Sequence, residues 1–360
     1  MRVHFIVPVP ENTQSTRFRV VQYLPYLELH GVKATISSFQ TRSLNEIIYK
    51  PGHLPQKVTG FFVGVTRRVA DVYRVWRSDV VFVLREACPL GPPVFERIYR
   101  VVNPRMIFDF DDAIFIRQVS EANRFVRFLK RPEKTREICK MSKKVICAIP
   151  FLGEYAKKHN PNIVIIWTPI DDELYQPVEK DKGPDDPIVV GWIGSKTTQV
   201  FPKALRNVYR RLAEKYPKVV FKFVDMDDFE VEGVDIRLKE FLKEEEVEDL
   251  QSFDIGIYPL CDIEYAHGKC GFKTQQYMGV GVPTVSTPIG GVTHFVTDGV
   301  NGFLASNEDE WVDRLSRLIE DRTLRAKMGA AGRETVEKNL SVRALAPKLL
   351  EAIREVAEMK

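Results

Sequence analysis

The stretch GKCGFKTQQYMGVGVPTVS, residues Gly268–Ser286, is the one from which the rest of the chain is best interpreted. It predicts a glycine-rich loop, a helix over about Phe272–Val280 and a short apolar strand. A loop followed by a helix presents unpaired backbone N–H groups, and such groups bind phosphate in many α/β proteins. The segment therefore predicts a phosphate-binding element.

Four residues of this segment carry that prediction. Gly268 and Gly271 allow a ligand to approach the backbone closely, because glycine has no side chain in the way. Lys269 and Lys273 can supply positive charge to a diphosphate. The alternative is an ordinary surface loop that caps a helix, since glycines near a lysine are common.

Two glutamines follow one turn further into the predicted helix. The side-chain amides of Gln275 and Gln276 could bond to ribose or sugar hydroxyls, because an amide both donates and accepts hydrogen bonds. We therefore expect this helix to contribute polar contacts as well as its N-terminus.

A second segment, GWIGSKTTQ over residues 191–199, also follows an apolar strand. Gly194, Ser195, Lys196 and Thr197 form the predicted turn at the carboxyl end of that strand, which is where α/β sheets bind phosphorylated ligands. The spacing is neither that of a P-loop nor that of a dinucleotide fingerprint. The alternative is a helix-capping turn with Ser195 or Thr197 as N-cap, which leaves Lys196 unexplained.

Short β-branched runs alternate with helical stretches along the chain. The predicted strands are Val3–Pro8, Val80–Leu84, Met106–Phe110, Val145–Ile149, Ile163–Trp167, Ile188–Ile193, Val219–Val224, Asp254–Tyr258 and Thr284–Ser286. The predicted helices are Arg17–His30, Arg124–Cys139, Lys203–Lys215, Leu238–Leu250, Phe272–Val280, Asp309–Asp321, Leu324–Asn339 and Ala344–Glu358. This alternation favours an α/β fold with two Rossmann-like parallel-sheet domains that face a cleft.

The 360-residue length also favours two domains. The stretch Pro169–Pro187 is rich in Pro, Asp and Lys and predicts a linker. We therefore divide the chain into residues 1–170, residues 171–343 and a C-terminal helix over residues 344–360, which could pack on the N-terminal domain.

A carboxylate cluster ends a strand in the N-terminal domain. In FDFDDAIF, Phe108–Phe115, the acids are Asp109, Asp111 and Asp112. Such a cluster could bind metal, act as a general base or hold a hydroxylated substrate. The alternative is that Asp111 or Asp112 caps the next helix.

Charge is distributed unevenly. Residues 1–170 contain 27 Lys/Arg and 14 Asp/Glu, a net charge of +13, whereas the remainder contains 26 and 35, a net charge of −9. A basic half suits an anionic substrate, an anionic membrane or nucleic acid, although a solvated surface explains it equally well. Aromatic residues rarely interleave with the basic ones, so nucleic acid is the least favoured partner.

Two sets of basic residues could make such contacts. Arg17 and Arg19, in NTQSTRFR after the first strand, could grip an anionic acceptor or face solvent. A basic stretch could contact anionic lipid or be a solvated helix face; its members are Arg124, Arg127, Lys130, Arg131, Lys134 and Arg136.

The remaining composition excludes several classes of protein. No apolar run reaches the roughly 18 to 20 residues of a membrane span, and the apolar N-terminus is too short for a signal peptide. The five cysteines have no zinc-like spacing and predict reduced thiols in the cytoplasm. His267 and His294 are possible ligands or bases, but no His–carboxylate–nucleophile set is legible.

Taken together, these segments resemble a known family. WIGSKTT, FDIGIYPL, the segment Gly268–Ser286 and VTDGVNGFLA resemble the C-terminal half of family-4-like, group 1 glycosyltransferases with the GT-B fold. The N-terminal half is similar to that family more loosely, in STRFRVVQYLPYLELHGV and FDFDDAIF. The resemblance implies a C-terminal domain that binds a nucleotide-sugar donor, an N-terminal domain that binds the acceptor, and transfer with retention.

The resemblance also implies residue roles. Ser195 and Lys196 match the loop near the diphosphate, and Gly271 and Phe272, after Cys270, match the glycine turn at phosphate and sugar. Members of the family commonly carry two acids in an E-x7-E motif. Gly268 and Gln276 stand at those two positions here, as in a sub-group that has GKCGFK and QYM.

The expected activity is therefore glycosyl transfer from a UDP- or GDP-linked sugar to a glycan or lipid-linked acceptor, without metal or other cofactor. We expect the catalytic groups to be Asp111, Asp112, Lys196 and Lys273. We expect the acceptor to be bound by Arg17, Arg19 and Asp112. The protein would act in the cytoplasm, at the cytoplasmic face of a membrane if its basic half binds lipid. The alternatives are a sugar-nucleotide epimerase and a non-catalytic nucleotide-sugar-binding protein of the same fold.

Overall fold

The computed structural model of the protein describes residues 1–48, 50, 52–116, 130–183 and 185–359. It separates into two units, the first formed by Met1–Pro169 with Leu345–Lys360 and the second by Ile170–Ala344. Each unit is built around one six-stranded parallel sheet. The predicted α/β fold class with two parallel-sheet domains is thus confirmed.

The first sheet has the strand order β2-β1-β3-β4-β5-β6. Its strands are β1 (Arg2–Val7), β2 (Lys33–Ser38), β3 (Val80–Leu84), β4 (Met106–Phe110), β5 (Lys144–Cys147) and β6 (Ile163–Ile165). Every pairing is parallel, and β1 pairs with both β2 and β3. The chain therefore reverses its direction of travel between β1 and β3, the position at which flavodoxin-like sheets bind ligands.

The helices of the first unit connect these strands. They are α1 (Gln14–Arg19), α2 (Leu24–Leu29), α3 (Arg42–Ile47), α4 (Leu54–Trp76), α5 (Val94–Val102), α6 (Lys134–Met141) and α7 (Pro150–Lys157). The predicted helix Arg17–His30 is divided into α1 and α2, because the backbone leaves the helical region at Val20. Of the predicted helix Arg124–Cys139, the part up to residue 129 lies outside the described residues.

The second sheet has the strand order β12-β11-β10-β7-β8-β9. Its strands are β7 (Ile188–Ile193), β8 (Val219–Val224), β9 (Asp235–Lys239), β10 (Ile255–Tyr258), β11 (Thr284–Ser286) and β12 (Phe303–Leu304). Counted within the unit, this is the Rossmann order, with its switch point between β7 and β10. The unit's core includes Trp192, Tyr209, Phe221 and Trp311.

The helices of the second unit cover both faces of this sheet. They are α8 (Val200–Lys203), α9 (Arg206–Lys215), α10 (Glu246–Gln251), α11 (Glu264–His267), α12 (Phe272–Gly279), α13 (Val292–Phe295), α14 (Glu308–Glu320) and α15 (Arg322–Thr335). The predicted helix Leu238–Leu250 is wrong at its start, because Leu238 and Lys239 belong to strand β9. A π-helix, Val336–Leu340, follows α15.

The last helix, α16 (Val342–Glu358), contributes its residues from Leu345 onward to the first unit. Its inner positions, such as Leu349 and Ile353, are buried. Glu355 forms an ion pair with Lys144 of β5, and Arg105 Nε donates to Met359 O at 3.0 Å. Polar contacts therefore reinforce the apolar packing of this helix against the first unit.

Candidate functional site

The carboxyl edge of the second sheet is the first place to examine, because ligands of α/β proteins bind beyond the strands at a switch point. Strands β7 and β10 share two residue pairs in register. Beyond these pairs the hydroxyl of Tyr277, on α12, accepts from Ile193 N at 3.2 Å and donates to Ile257 O at 3.2 Å. Helix α12 is therefore bonded to the ends of both strands at the switch point.

The turn after β7 requires glycine. Gly194 N donates to Val224 O, at the end of β8, at 3.2 Å. This bond holds the turn against β8. A Cβ atom on Gly194 would lie 2.0 Å from the Trp192 ring. The ring therefore packs directly on this turn, and any side chain at the position would displace it.

The next residues form a turn and not a helix cap. Thr198 N donates to Ser195 O at 2.8 Å, and the two hydroxyl groups lie 3.2 Å apart. Helix α8 begins at Val200, so neither Ser195 nor Thr197 stands at its N-cap. The capping alternative is thereby wrong.

Lys196 pairs with an acid at the same edge of the sheet. Its Nζ atom lies 2.9 Å from Asp227 Oδ1, and both side chains are more than half exposed. This pair raises the pKa of the Lys196 ammonium. An exposed pair of this kind contributes little to stability, because water screens it, so a stronger anion could replace Asp227 at little cost.

Helix α12 begins at a glycine in the left-handed backbone region. Gly271 has φ +75° and is the N-cap residue of the helix. A Cβ there would lie 2.8 Å from Val292 Cγ1 and 3.2 Å from Val292 N. The first amides of α12 lack intrahelical partners and carry the positive end of the helix dipole, so this end favours an anion.

Lys273 lies in the first turn of α12 and is the most distinctive cation of the unit. Its side chain is half-buried, and no described residue forms a hydrogen bond or ion pair with it. The Nζ atom lies 5.9 Å from the centroid of the Trp192 ring. Burial, with a smaller effect from Lys269, lowers the pKa of the Lys273 amine to about 8. An anion at this position would offset the cost of burying the charge.

The neighbouring residues of the loop are held in place by their own contacts. Lys269 Nζ donates to the Tyr265 hydroxyl at 2.8 Å, and its backbone oxygen accepts from Gly291 N at 2.7 Å. Cys270 and Phe272 are both half-buried. The loop is thus fixed to the segment that follows β11.

Gln276 is placed differently from the prediction. Its side chain is buried, and its Nε2 atom donates to Glu246 Oε1 at 2.9 Å and to the Tyr175 hydroxyl at 3.2 Å. Gln275 is also buried, with Nε2 directed at Cys270 O. Ribose binding by the Gln276 amide stays a prediction, and it would require these internal bonds to be exchanged.

In the first unit, Arg19 is a structural residue and not a surface cation. It is 1% exposed, and its Nε and Nη2 atoms donate to Asp109 at 3.0 and 2.5 Å. Its Nη1 atom donates to Ile166 O at 2.7 Å. We therefore correct the prediction that Arg19 contacts the acceptor, because every nitrogen of its guanidinium is engaged in the interior. Burial raises the pKa of Asp109 to about 6, against the opposing effect of Arg19.

Asp111 forms a second bidentate pair. Arg85 Nε and Nη2 donate to its two oxygens at 2.6 and 2.9 Å. The positive charge of Arg85 holds the pKa of Asp111 below its usual value, although burial opposes this. Arg85 itself follows β3 with φ +58°, a conformation that costs free energy outside glycine and that clusters at functional sites.

Asp112 belongs to a turn. Its Oδ1 atom accepts from Ala113 N at 3.0 Å, and its backbone oxygen accepts from Ile114 N at 2.8 Å. The described residues that follow, 113–116, are not helical, so within them neither Asp111 nor Asp112 caps a helix.

The other predicted residues are dispersed. Arg17 is half-buried, with its guanidinium 4.2 Å from the Phe18 ring. In the basic stretch, Lys134 is buried and pairs with Glu86 at 2.6 Å, whereas Arg124 and Arg127 lie outside the described residues. His267 pairs with exposed Asp262 at 2.7 Å.

The sequence of the second unit matches the model of a known protein family over much of its length. The sequence model of "Glycosyl transferases group 1" matches residues 189–321, which include the Gly194 turn, Gly271 and Lys273. Over this segment the chain is similar to group 1 glycosyltransferases.

Curated proteins similar to this chain match it over limited lengths. The D-inositol 3-phosphate glycosyltransferase of Stackebrandtia nassauensis is 25% identical over 195 residues, 48% of this chain and 44% of that protein. The trehalose synthase of Pyrococcus horikoshii is 29% identical over 72 residues, 20% of this chain and 17% of that protein. The matches thus span less than half the length of either relative.

Solved structures extend the likeness in fold to the whole chain. A glycosyltransferase from Rickettsia africae has a TM-score of 0.71 at 14% identity, covering 100% of this chain and 99% of that one. Anabaena HepE, solved with UDP and glucose, has a TM-score of 0.66 at 15% identity over 98% and 99% of the two chains. The fold is therefore that of the GT-B glycosyltransferases.

Several residues at the edges of the two sheets were not predicted. Asp225 follows β8 with φ +61° and lies near Lys196. Burial raises the pKa of Asp225, and the charge of Lys196 offsets part of that rise. Arg85, which follows β3, has the same backbone conformation. The available signal was a charged residue directly after a buried strand, the same signal that identified Asp111. Trp192 and Tyr277 carry no comparable mark in the sequence, since both look like ordinary core residues.

The described residues contain neither a metal-binding cluster nor a helix suited to cross a membrane. No group of three or more His, Cys, Asp or Glu side chains in this part of the chain is arranged to hold a metal ion. Among the described helices, none combines the length and the apolar composition that a membrane crossing requires. All five cysteines are free of disulfide bonds, and Cys261 is exposed.

Proposed function

We propose that the protein transfers a sugar from a nucleoside diphosphate sugar to a hydroxyl group of a glycan or lipid-linked acceptor, with retention at the anomeric carbon. The observation that carries the proposal is Lys273, a half-buried amine at the switch point that forms no hydrogen bond or ion pair with a described residue. It stands in the first turn of α12, whose amides favour the same kind of ligand. A diphosphate would complete this site.

The chemistry of the transfer needs positive charge at this position. The bond between the anomeric carbon and the diphosphate oxygen breaks, the acceptor oxygen bonds to that carbon, and the acceptor proton passes to a base. Negative charge grows on the departing diphosphate, and fixed donors stabilise it most where water is excluded. Lys273, Lys196 and the α12 amides would supply this stabilisation, so we propose that no metal is required.

The choice of nucleotide is supported by the structural neighbours. HepE was solved with UDP and with UDP-glucose. The pneumococcal transferase GtfA, with a TM-score of 0.59 at 13% identity over 81% of this chain and 60% of that one, was solved with UDP and GlcNAc. We therefore propose a uridine diphosphate sugar as the first donor to test, and a guanosine diphosphate sugar as the second.

The first unit would hold the acceptor. Asp112 is half-buried at the carboxyl edge of the first sheet, next to Asp111, which Arg85 holds in place. A carboxylate in that setting can accept a proton or bond to a sugar hydroxyl. Five cysteines without a disulfide suit a reducing compartment, and we propose the cytoplasm as the site of action.

Thermal unfolding with added nucleotides tests the donor proposal. UDP and its sugars are expected to raise the melting temperature, because a ligand that binds the folded state stabilises it. Lys273→Met should abolish the shift. If neither uridine nor guanosine diphosphates, nor their sugars, change the melting temperature, the proposed function is wrong. Sugar transfer is then measured as UDP release that requires an acceptor. The release should persist in EDTA if no metal is required. NMR of the product establishes its anomeric configuration.

A further inference from the structure

Helix α4, Leu54–Trp76, is bound to the first sheet through its inner face. Arg68 is fully buried and donates to two backbone oxygens, each at 2.6 Å. Val7 O is at the end of β1, and Ala87 O lies just after β3. Asp71 accepts from the Ser37 hydroxyl at 2.8 Å. These buried bonds fix the orientation of the helix, so its outer face is equally well defined.

The outer face of α4 is an exposed apolar stripe. The side chains share one side of the helix, since they are spaced three, four or seven residues apart. They are Leu54, Val58, Phe62, Val69, Tyr73 and Trp76, each between 47% and 67% exposed. At 1.5 Å per residue the stripe is ~34 Å long. Scattered exposed apolar residues are normal, but a continuous patch of this size marks an interaction surface.

The charges around the stripe are of one sign. The only acid in α4 is Asp71, which is buried and paired with Arg68 and Arg74 at 2.8 and 2.7 Å. Arg74 and Arg77 are exposed at the C-terminal end of the helix. The stripe therefore combines apolar side chains with cations and presents no acidic side chain of its own helix to a partner.

The aromatic end of the stripe indicates the partner. The Tyr73 and Trp76 rings lie 6.0 Å apart, and Arg77 Nη1 donates to the Tyr73 hydroxyl at 3.0 Å. Tyrosine and tryptophan prefer the region between lipid tails and headgroups, and arginine binds the anionic headgroups beside them. An apolar face with a basic border is the composition of helices that lie flat in a membrane surface.

We propose that the outer face of α4 docks the protein on an anionic membrane surface, with the helix axis parallel to it. A second copy of the chain fits less well, because α4 offers exposed cations and no exposed acid of its own to pair with them across a self-complementary contact. Exposed Val94, Ile98 and Val101 on α5 would add to the contact. The proposal is independent of the nucleotide site and stands or falls separately.

Vesicle flotation tests this surface. The intact protein should float with vesicles of phosphatidylcholine and phosphatidylglycerol, and poorly with phosphatidylcholine alone. The double variant Phe62→Asp and Val69→Asp should bind at least about tenfold more weakly, because it places two charges in the apolar stripe. Leu29→Asp, at an 82% exposed position on α2, is the matched control and should bind like the wild type.

Tryptophan fluorescence gives a second, independent measurement. Trp76 is 67% exposed, whereas Trp167 is half-buried and Trp192 and Trp311 are buried, so anionic vesicles should shift mainly the Trp76 emission to the blue. Trp76→Phe should still float but lose most of the shift. Equal flotation by the wild type and the double variant, or indifference to lipid charge, overturns the proposal. It is also overturned if light scattering without lipid shows a dimer that the double variant dissociates while flotation stays the same.

Discussion

Arg19 and Asp109 form a bidentate ion pair in the interior of the first unit, with Nε–Oδ1 and Nη2–Oδ2 distances of 3.0 and 2.5 Å. The pair joins α1 to the next-to-last residue of β4. The third guanidinium nitrogen donates to Ile166 O, just after β6. One arginine thus holds the loop after β1 against two other strands. The acidic edge that carries Asp111 and Asp112 depends on this contact for its position.

Removing Arg19 is expected to destabilise the fold more than it changes acceptor binding. Arg19→Ala leaves the Asp109 carboxylate buried without its partner, which costs about 3–5 kcal/mol in the free energy of unfolding. Chemical denaturation measures the loss. Arg17→Ala, on the same helix but half-buried, should cost far less. If Arg19→Ala raised the KM for acceptor while unfolding stayed unchanged, the structural role given to Arg19 would be wrong.

Lys273→Met is expected to stabilise the unliganded protein and to abolish binding of a nucleoside diphosphate. The folded state lowers the pKa of Lys273 from 10.5 to about 8, so its charge costs stability at neutral pH, on the order of 1–3 kcal/mol. The wild type should therefore gain stability relative to the variant as the pH rises from 8 towards 10.5, because only the unfolded chain keeps the proton.

The same titration predicts the pH dependence of ligand affinity. UDP should bind more weakly above about pH 8, as Lys273 loses its proton. Calorimetry at pH 7 and pH 9 measures this change. Lys196→Ala serves as the control, since it should weaken binding at both pH values and leave the pH dependence in place. A pH-independent affinity in the wild type would exclude Lys273 from the site.

Gly271→Ala is expected to prevent nucleotide binding and to lower the free energy of unfolding by more than the roughly 1–2 kcal/mol that a left-handed conformation alone costs a residue with a Cβ. The added Cβ meets Val292 as well as an unfavourable φ. Gly233→Ala is the matched control, because Gly233 has the same φ of +75° with no atom within 4 Å of the added Cβ. Equal losses in the two variants would mean that strain accounts for the whole effect, without the close contact.

Asp111→Asn is expected to destabilise the first unit in a pH-dependent manner. Arg85 lowers the pKa of Asp111, so the charged carboxylate stabilises the folded state. That contribution is complete above its ordinary pKa of 3.8 and is lost as the pH falls through the lower folded-state value. Denaturation of the wild type and the variant should differ at pH 7 and converge in acid. A constant difference across this range would contradict the Arg85 pair.

The sequence located most of the sheets because central strands are buried on both faces. The predicted bounds of β3, β4, β7, β8 and β11 agree with the structure. Strands β2, β9 and β12 were missed, since they lie at or near sheet edges and are short or largely polar. Helix α4 was missed as well, because its polarity is reversed: charged residues and glycines occupy the buried face, and apolar side chains the exposed one.

The site was predictable to the extent that it depends on local sequence. The loop at Gly194, the turn at Gly271 and the cation at Lys273 all follow from residue types around a strand or helix end. The burial of Arg19 does not, because Asp109 is 90 positions away along the chain. The internal bond of Gln276 to Glu246 is equally non-local.

The hydroxyl of Tyr277 also makes the sheet sensitive to the ligand. It bridges Ile193 and Ile257 from the same helix that carries Lys273 in its first turn. A ligand that shifts α12 therefore strains the two Tyr277 hydrogen bonds at the β7–β10 pairing. A ligand that immobilises the helix strengthens the same two bonds. The exchange rate of the Ile193 amide hydrogen with deuterated water would record this, well inside the sheet and away from any phosphate.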